Sequence, residues 1–186
     1  MKDNPREVQI WQTIRGERPD DINDTGEELY YAGWQYEYGM NGCKDYGLAL
    51  KAYEMSVSKG YLKAMTALGN IYLKTEDYDQ AYKWYLEAAI ASEDKEAVFN
   101  IALMYHDGDY LKQDRDKALR MFEHAYEMGC ERASYYLGMY YENGIGVSID
   151  QRKALEYYMV GADKYEEDCR DAVKRLKGDA YGNLRK

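Results

Sequence analysis

Proline, cysteine, histidine and long apolar runs are all scarce in this chain, and each scarcity closes off a class of protein. Two prolines in 186 residues leave no room for Pro-rich linkers. The three cysteines, Cys43, Cys130 and Cys169, form neither a CxxC pair nor an even set. They predict free thiols in a reducing compartment rather than a disulfide framework or a zinc site. The only histidines, His106 and His124, have no HExxH or Cys companion, so no metal and no cofactor is expected. No stretch approaches the ~20 apolar residues of a membrane span. The N-terminus lacks the basic start and roughly 7–15-residue apolar run of an export signal, so a soluble, cytoplasmic protein is expected. No GxSxG elbow or P-loop is present. The sequence therefore reads as no enzyme, with no catalytic residues and no small-molecule substrate.

What is abundant is tyrosine and acid. The chain has 22 Tyr against 2 Phe, which suits helices whose rings pack inward while hydroxyls reach water or a polar partner. A formal net charge of -9 and a pI near 4.9 weigh against nucleic acid and anionic membranes as partners. The C-terminal run of Arg170, Lys174, Arg175, Lys177, Arg185 and Lys186 offsets this locally and reads as a solvated helix end.

The dominant pattern is a four-fold echo. Ala49, Ala81, Ala118 and Ala154 recur at intervals of 32, 37 and 36 residues, each followed four residues later by Tyr53, Tyr85, Phe122 or Tyr158. Such periods predict one supersecondary unit repeated in a stack. Within each unit a first helix carries Gly33, Gly69, Ala102 or Gly138, with Tyr36, Tyr72, Tyr105 or Tyr141 three residues on. A second helix carries the alanine, the aromatic and a small residue at Ser56, Ala88, Ala125 or Gly161, which forms one apolar stripe. Small residues let antiparallel helices approach to about 8–10 Å, and Gly138 against Ala154 is the expected contact. Gly60 and Gly129 are placed as helix stops.

On these residues the chain resembles the Sel-one-like repeat family of the tetratricopeptide superfamily. The fourth unit carries the resemblance through both helices: residues 133–147, Asp150, Lys153, Ala154, Tyr157 and Tyr158. The third keeps Gly108, Asp114, Lys117, Ala118 and Gly129 but has Ala102 for glycine. The second, with Leu68 to Tyr72, Asp77, Tyr78, Ala81, Tyr85 and Ala88, has the shorter loop of an ordinary tetratricopeptide repeat. The first has an irregular loop around 40–43. The expected fold is all-α, a right-handed superhelical solenoid of antiparallel helix pairs with four repeats plus capping segments. Its expected divisions are an N-terminal segment 1–27 with a short helix and acidic linker, repeats at 28–63, 64–96, 97–132 and 133–168, and a capping helix and basic tail at 169–186.

At the N-terminal end Asn4 reads as an N-cap, with Pro5 at N1 and Glu7 at N3, for a helix over 5–15 whose Val8, Trp11 and Ile14 share a face. The charged stretch 16–27, with Pro19, Asp20, Asp21 and Asp24, reads as a linker. At the other end Cys169, Ala172, Val173 and Leu176 predict a capping helix over 167–177 that Gly178 terminates, followed by frayed residues 179–186. The pairs Glu27, Glu28 and Glu166, Glu167, Asp168 read as acidic helix starts.

The resemblance implies that first helices line a concave groove. The positions three before, one after and four after each small residue then point into it: Tyr30, Trp34, Glu37; Thr66, Asn70, Leu73; Phe99, Leu103, His106; Tyr135, Met139, Glu142. A carboxylate clamp like that of some tetratricopeptide proteins is matched only at Asn70, because Trp34, Leu103 and Met139 hold the equivalent places. The leading expectation is a non-enzymatic interaction module or adaptor that holds another protein or a peptide in this groove. The alternative is an acidic inhibitor or immunity-type protein that neutralises a basic partner. A third reading uses the groove carboxylates Glu37 and Glu142 for catalysis.

Overall fold

The computed structural model describes residues 5–17, 24–40, 42, 44–108, 110–163 and 167–183. The expected N-cap Asn4, the acidic linker residues around Pro19, Asp20 and Asp21, and Cys43, Glu166, Arg185 and Lys186 lie outside the described residues. Within them the structure is all-α, as the repeat predicts, and it forms two compact units, 1–94 and 95–186. Unit 1 holds α1 (Pro5–Arg15), α2 (Gly26–Tyr38), α3 (Tyr46–Ser58), α4 (Ala64–Lys74) and α5 (Tyr78–Ser92). Unit 2 holds α6 (Lys95–Asp107), α7 (Arg115–Glu127), α8 (Ala133–Asn143), α9 (Gln151–Asp163) and α10 (Glu167–Asn183). The pairs α2/α3, α4/α5, α6/α7 and α8/α9 pack as hairpins, α3 and α7 continue onto α4 and α8, and α10 covers α9.

Each second helix starts the same way. Asp45, Asp77, Asp114 and Asp150 lie four residues before the echoing alanines. Each side chain accepts the backbone N–H three residues on, at Leu48, Gln80, Lys117 and Lys153, over 2.9, 3.2, 2.9 and 2.9 Å. Each such aspartate also donates its own N–H to the carbonyl of Tyr36, Tyr72, Tyr105 or Tyr141, so one residue closes the loop and caps the helix. Gly60 and Gly129, at φ +83° and +88°, end α3 and α7 in the left-handed conformation that glycine adopts without strain.

The echoing alanines are fully buried, but the small residue opposite them faces a ring. A Cβ added at Gly33, Gly69 or Gly138 would lie 2.7, 2.5 or 2.6 Å from the ring of Tyr53, Tyr85 or Tyr158. At Gly138, where an approach to Ala154 was expected, the nearest side-chain atoms are those of Tyr158, four residues after that alanine.

The ends differ from expectation in three places. The helix α2 begins at Gly26, inside the expected linker, because Thr25 and Glu28 form a reciprocal capping box. The buried side of α1 is Ile10, Thr13 and Ile14 rather than Val8, Trp11 and Ile14. It is oriented by Arg6, which donates to both oxygens of Glu28 at 2.9 Å and pairs with the buried Asp24 at 3.0 Å. Finally, Gly178 does not stop α10, which runs to Asn183. Its backbone is not left-handed, and a glycine tolerated inside a helix costs only about 1 kcal/mol.

Candidate interaction surface

The first helices position the expected groove residues in two classes, locked and accessible. In unit 1, Glu37 is buried and accepts the Tyr53 hydroxyl at 2.8 Å and the Lys74 ammonium at 2.5 Å. Thr66 is also buried and donates to Asp94 at 2.8 Å. Asn70 is half-buried and accepts the Tyr85 hydroxyl at 2.8 Å, and Leu73 is half-buried. Tyr30 is half-buried among Tyr31, Tyr53 and Tyr61, with ring centres 5.8, 5.4 and 5.3 Å away. Burial pushes the hydroxyls of Tyr30 and Tyr53 above the usual tyrosine range, and Glu37 adds to the effect at Tyr53.

Trp34 stands apart at 40% exposed. Tyr31 and Tyr38, one turn before and after it on α2, are each 56% exposed. The Trp34 and Tyr38 rings lie 5.3 Å apart, and the Lys74 ammonium sits 5.2 Å over Tyr38. Tyr31 and Tyr38 were outside the expected groove set. Their spacing from Trp34, minus three and plus four, was the available signal.

In unit 2, Phe99 is buried under Phe122, Tyr136 and the Arg132 guanidinium, at 5.7, 5.6 and 4.5 Å. His106 is half-buried against Tyr136 and Tyr140, and its Nδ1 lies 2.8 Å from the Tyr140 hydroxyl. Burial lowers its pKa and favours the neutral ring. The same effect raises Tyr140 to about 12. Glu142 accepts the Tyr158 hydroxyl at 2.9 Å and two bonds from Arg175, whose contact holds the carboxyl below its usual range. Leu103, Tyr135 and Met139 are half-buried, with Tyr135 packed beside Tyr136 and Tyr158.

One substitution pattern links these sites. Where the small residue is Gly33 or Gly138, the facing ring is a tyrosine whose hydroxyl meets a glutamate four residues after the glycine. In the third repeat the equivalent residues are Ala102 and Phe122, which has no hydroxyl, and the residue in the glutamate's place is His106, in edge contact with that ring at 6.3 Å. Glu37 and Glu142 therefore serve the helix pairing first. No group of three or more His, Cys, Asp or Glu able to hold a metal occurs among the described residues, and no helix among them is long and apolar enough to cross a membrane. The two described cysteines, Cys130 and Cys169, are buried free thiols, and burial lifts Cys130 to about 11.

The Sel1 repeat family matches residues 95–130 and 132–163, and a tetratricopeptide repeat matches 64–98. The chain is a Sel1-like repeat protein. Its fold is similar to that of a Sel1 repeat protein from Oxalobacter formigenes, with a TM-score of 0.74 and 24% identity over 90% of this chain and 69% of that one. A protective antigen of uropathogenic Escherichia coli that displays the same repeat fold superposes with a TM-score of 0.70 at 27% identity, over 88% of this chain and 34% of that one. Among curated relatives, an uncharacterized protein of Neisseria meningitidis serogroup B is 35% identical over 84% of this chain and 32% of its own length. A chitin synthase regulator of Malassezia restricta is 28% identical over 80% of this chain and 8% of its own length. This Sel1-like chain thus spans about a third or less of the curated relatives it matches.

Proposed function

We propose that this Sel1-like repeat chain is a non-enzymatic, cytoplasmic interaction module whose first-helix faces hold a peptide, helix or loop of another protein. The observation that carries the reading is the exposed row Tyr31, Trp34 and Tyr38 on α2. Each such ring offers a large part of its ~150–250 Å² to a partner, and aromatic anchors dominate interface energies. Repeat proteins of this family generally mediate protein–protein contacts, which agrees with the reading.

The position directly after each small residue supports it further. Trp34, Asn70, Leu103 and Met139 are all at least partly accessible, and they differ in chemistry from repeat to repeat. The buried alanines and the capping aspartates recur in all four repeats, so the variation at this position, where Asn70 alone is tied to a ring hydroxyl, is a means for the repeats to differ in what they bind. Phe99, Thr66 and Glu37 are buried and act by holding that framework. The net charge of -9 favours a protein partner over nucleic acid or an anionic membrane.

The test is capture of a partner identified by crosslinking and mass spectrometry. Trp34→Ala combined with Tyr38→Ala, in a protein that keeps its helical circular dichroism, is expected to abolish that capture. Undiminished capture would place the site elsewhere.

A further inference from the structure

A second feature of unit 1 lies where α1 docks on α2, adjoining the exposed row. A cleft of about 350 Å³ opens there, with Trp11, Tyr31 and Trp34 among its walls and Arg6, Glu7 and Glu28 at its polar side. The walls are held in advance. The Trp11 indole N–H donates to Gln35 at 3.0 Å, and Tyr31 lies edge-on to Tyr30 at 5.8 Å. Arg6 is committed to Glu28 and the buried Asp24. Among the charged groups that line the cleft, one guanidinium, Arg6, stands against Glu7 and Glu28, a surplus of one negative charge. Glu7 is exposed and makes no hydrogen bond or ion pair with any described residue.

We propose that this cleft receives an arginine side chain of the partner protein, its guanidinium over the faces of Trp11 and Trp34 and its N–H groups on the Glu7 carboxylate. Aromatic faces attract a cation through the ring quadrupole. A guanidinium also stacks on such faces and offers a planar fork to a carboxylate, which an ammonium does not. Preformed walls reduce the ordering cost of binding. The proposal rests on the interaction reading only in that a protein supplies the arginine; the binding chemistry belongs to the cleft itself.

The test therefore uses the full chain and a small probe. Nα-acetyl-arginine amide is titrated against Nα-acetyl-citrulline amide, which has the same shape without the charge, while the Trp11 indole N–H resonance is followed. Saturable binding of the arginine probe is expected, weaker for citrulline by on the order of tenfold. Trp11→Ala, followed at the Trp34 indole N–H resonance instead, should remove the binding. Glu7→Gln, at an exposed position outside the α1 packing, should weaken it several-fold even if the tryptophan variant loosens α1. Equal binding of citrulline, or no change on Glu7→Gln, would overturn the proposal. Trp34 belongs to both surfaces, so the readings are separated by Glu7→Gln, which leaves Trp34 and Tyr38 in place: lost probe binding with partner capture retained, or the reverse, tells which of the two fails.

Discussion

Replacing Gly138 by alanine tests the helix-pairing rule most sharply, because it adds one methyl group where the structure leaves no room. The new Cβ would stand 2.6 Å from Cε1, 2.7 Å from Cδ1 and 2.9 Å from Cζ of Tyr158, about 1 Å inside ordinary carbon contact. The ring cannot simply swing aside, since its hydroxyl is held by Glu142 at 2.9 Å. Overpacking of this kind costs roughly 1–3 kcal/mol, and the helix propensity of alanine returns about 1 kcal/mol. The net loss is therefore ~0–2 kcal/mol. Gly178 in α10 is the control, since nothing lies within 4 Å of its added Cβ. Alanine there should stabilise by up to about 1 kcal/mol, and the two variants should differ by about 1–3 kcal/mol in urea unfolding followed by circular dichroism. In a Tyr158→Phe background the ring is untethered, as Phe122 is in the third repeat, and the cost of Gly138→Ala should fall by at least ~0.5 kcal/mol. If Gly138→Ala stabilises as much as Gly178→Ala, the proposed contact is wrong.

Three further outcomes are expected. Glu28 is pulled down to about 2, first by the Arg6 guanidinium and then by Thr25, against an unfolded value of about 4.3. Its contribution to holding α1 is complete above the unfolded value and fades as pH falls toward the folded one. Hydrogen exchange of α1 amides should accelerate in that acid window and Arg6→Met should remove the effect. Thr25→Ala breaks the capping box of α2 and should cost about 1 kcal/mol in chemical denaturation; an unchanged midpoint would dismiss the cap as incidental. His106, kept neutral by burial, should titrate by NMR below the unperturbed value of about 6.5, and a midpoint above it would contradict the packing against Tyr136 and Tyr140.

The repeat itself was legible because burial imposes the same spacing four times: alanine, ring at plus four, small residue at plus seven. The α1 boundaries, the short loop before α5 and the stops at Gly60 and Gly129 followed from local chemistry that a sequence displays directly. What the sequence hid was partnership across long separations. Glu37 and Glu142 read as groove carboxylates because helical register sends them toward the same face as Trp34 and Met139. Only the structure brings Tyr53 and Lys74, or Tyr158 and Arg175, within reach of them. Phe99 likewise looked accessible by register, yet Arg132 and Tyr136 close over it. The early start of α2 was readable in principle from Thr25 and Glu28, a capping pair obscured by its acidic surroundings. The length of α10 was not, since a glycine such as Gly178 ends a helix only when its backbone turns left-handed.

The central claim, that the first-helix faces bind a partner, is tested most directly by placing a photo-crosslinking phenylalanine analogue at Trp34 and at Met139, and in separate proteins at Ile90 and Met159, which are exposed on second helices. Covalent capture of one and the same protein from the first two positions and not from the second two is the result this account predicts. Capture confined to Ile90 or Met159 would contradict it.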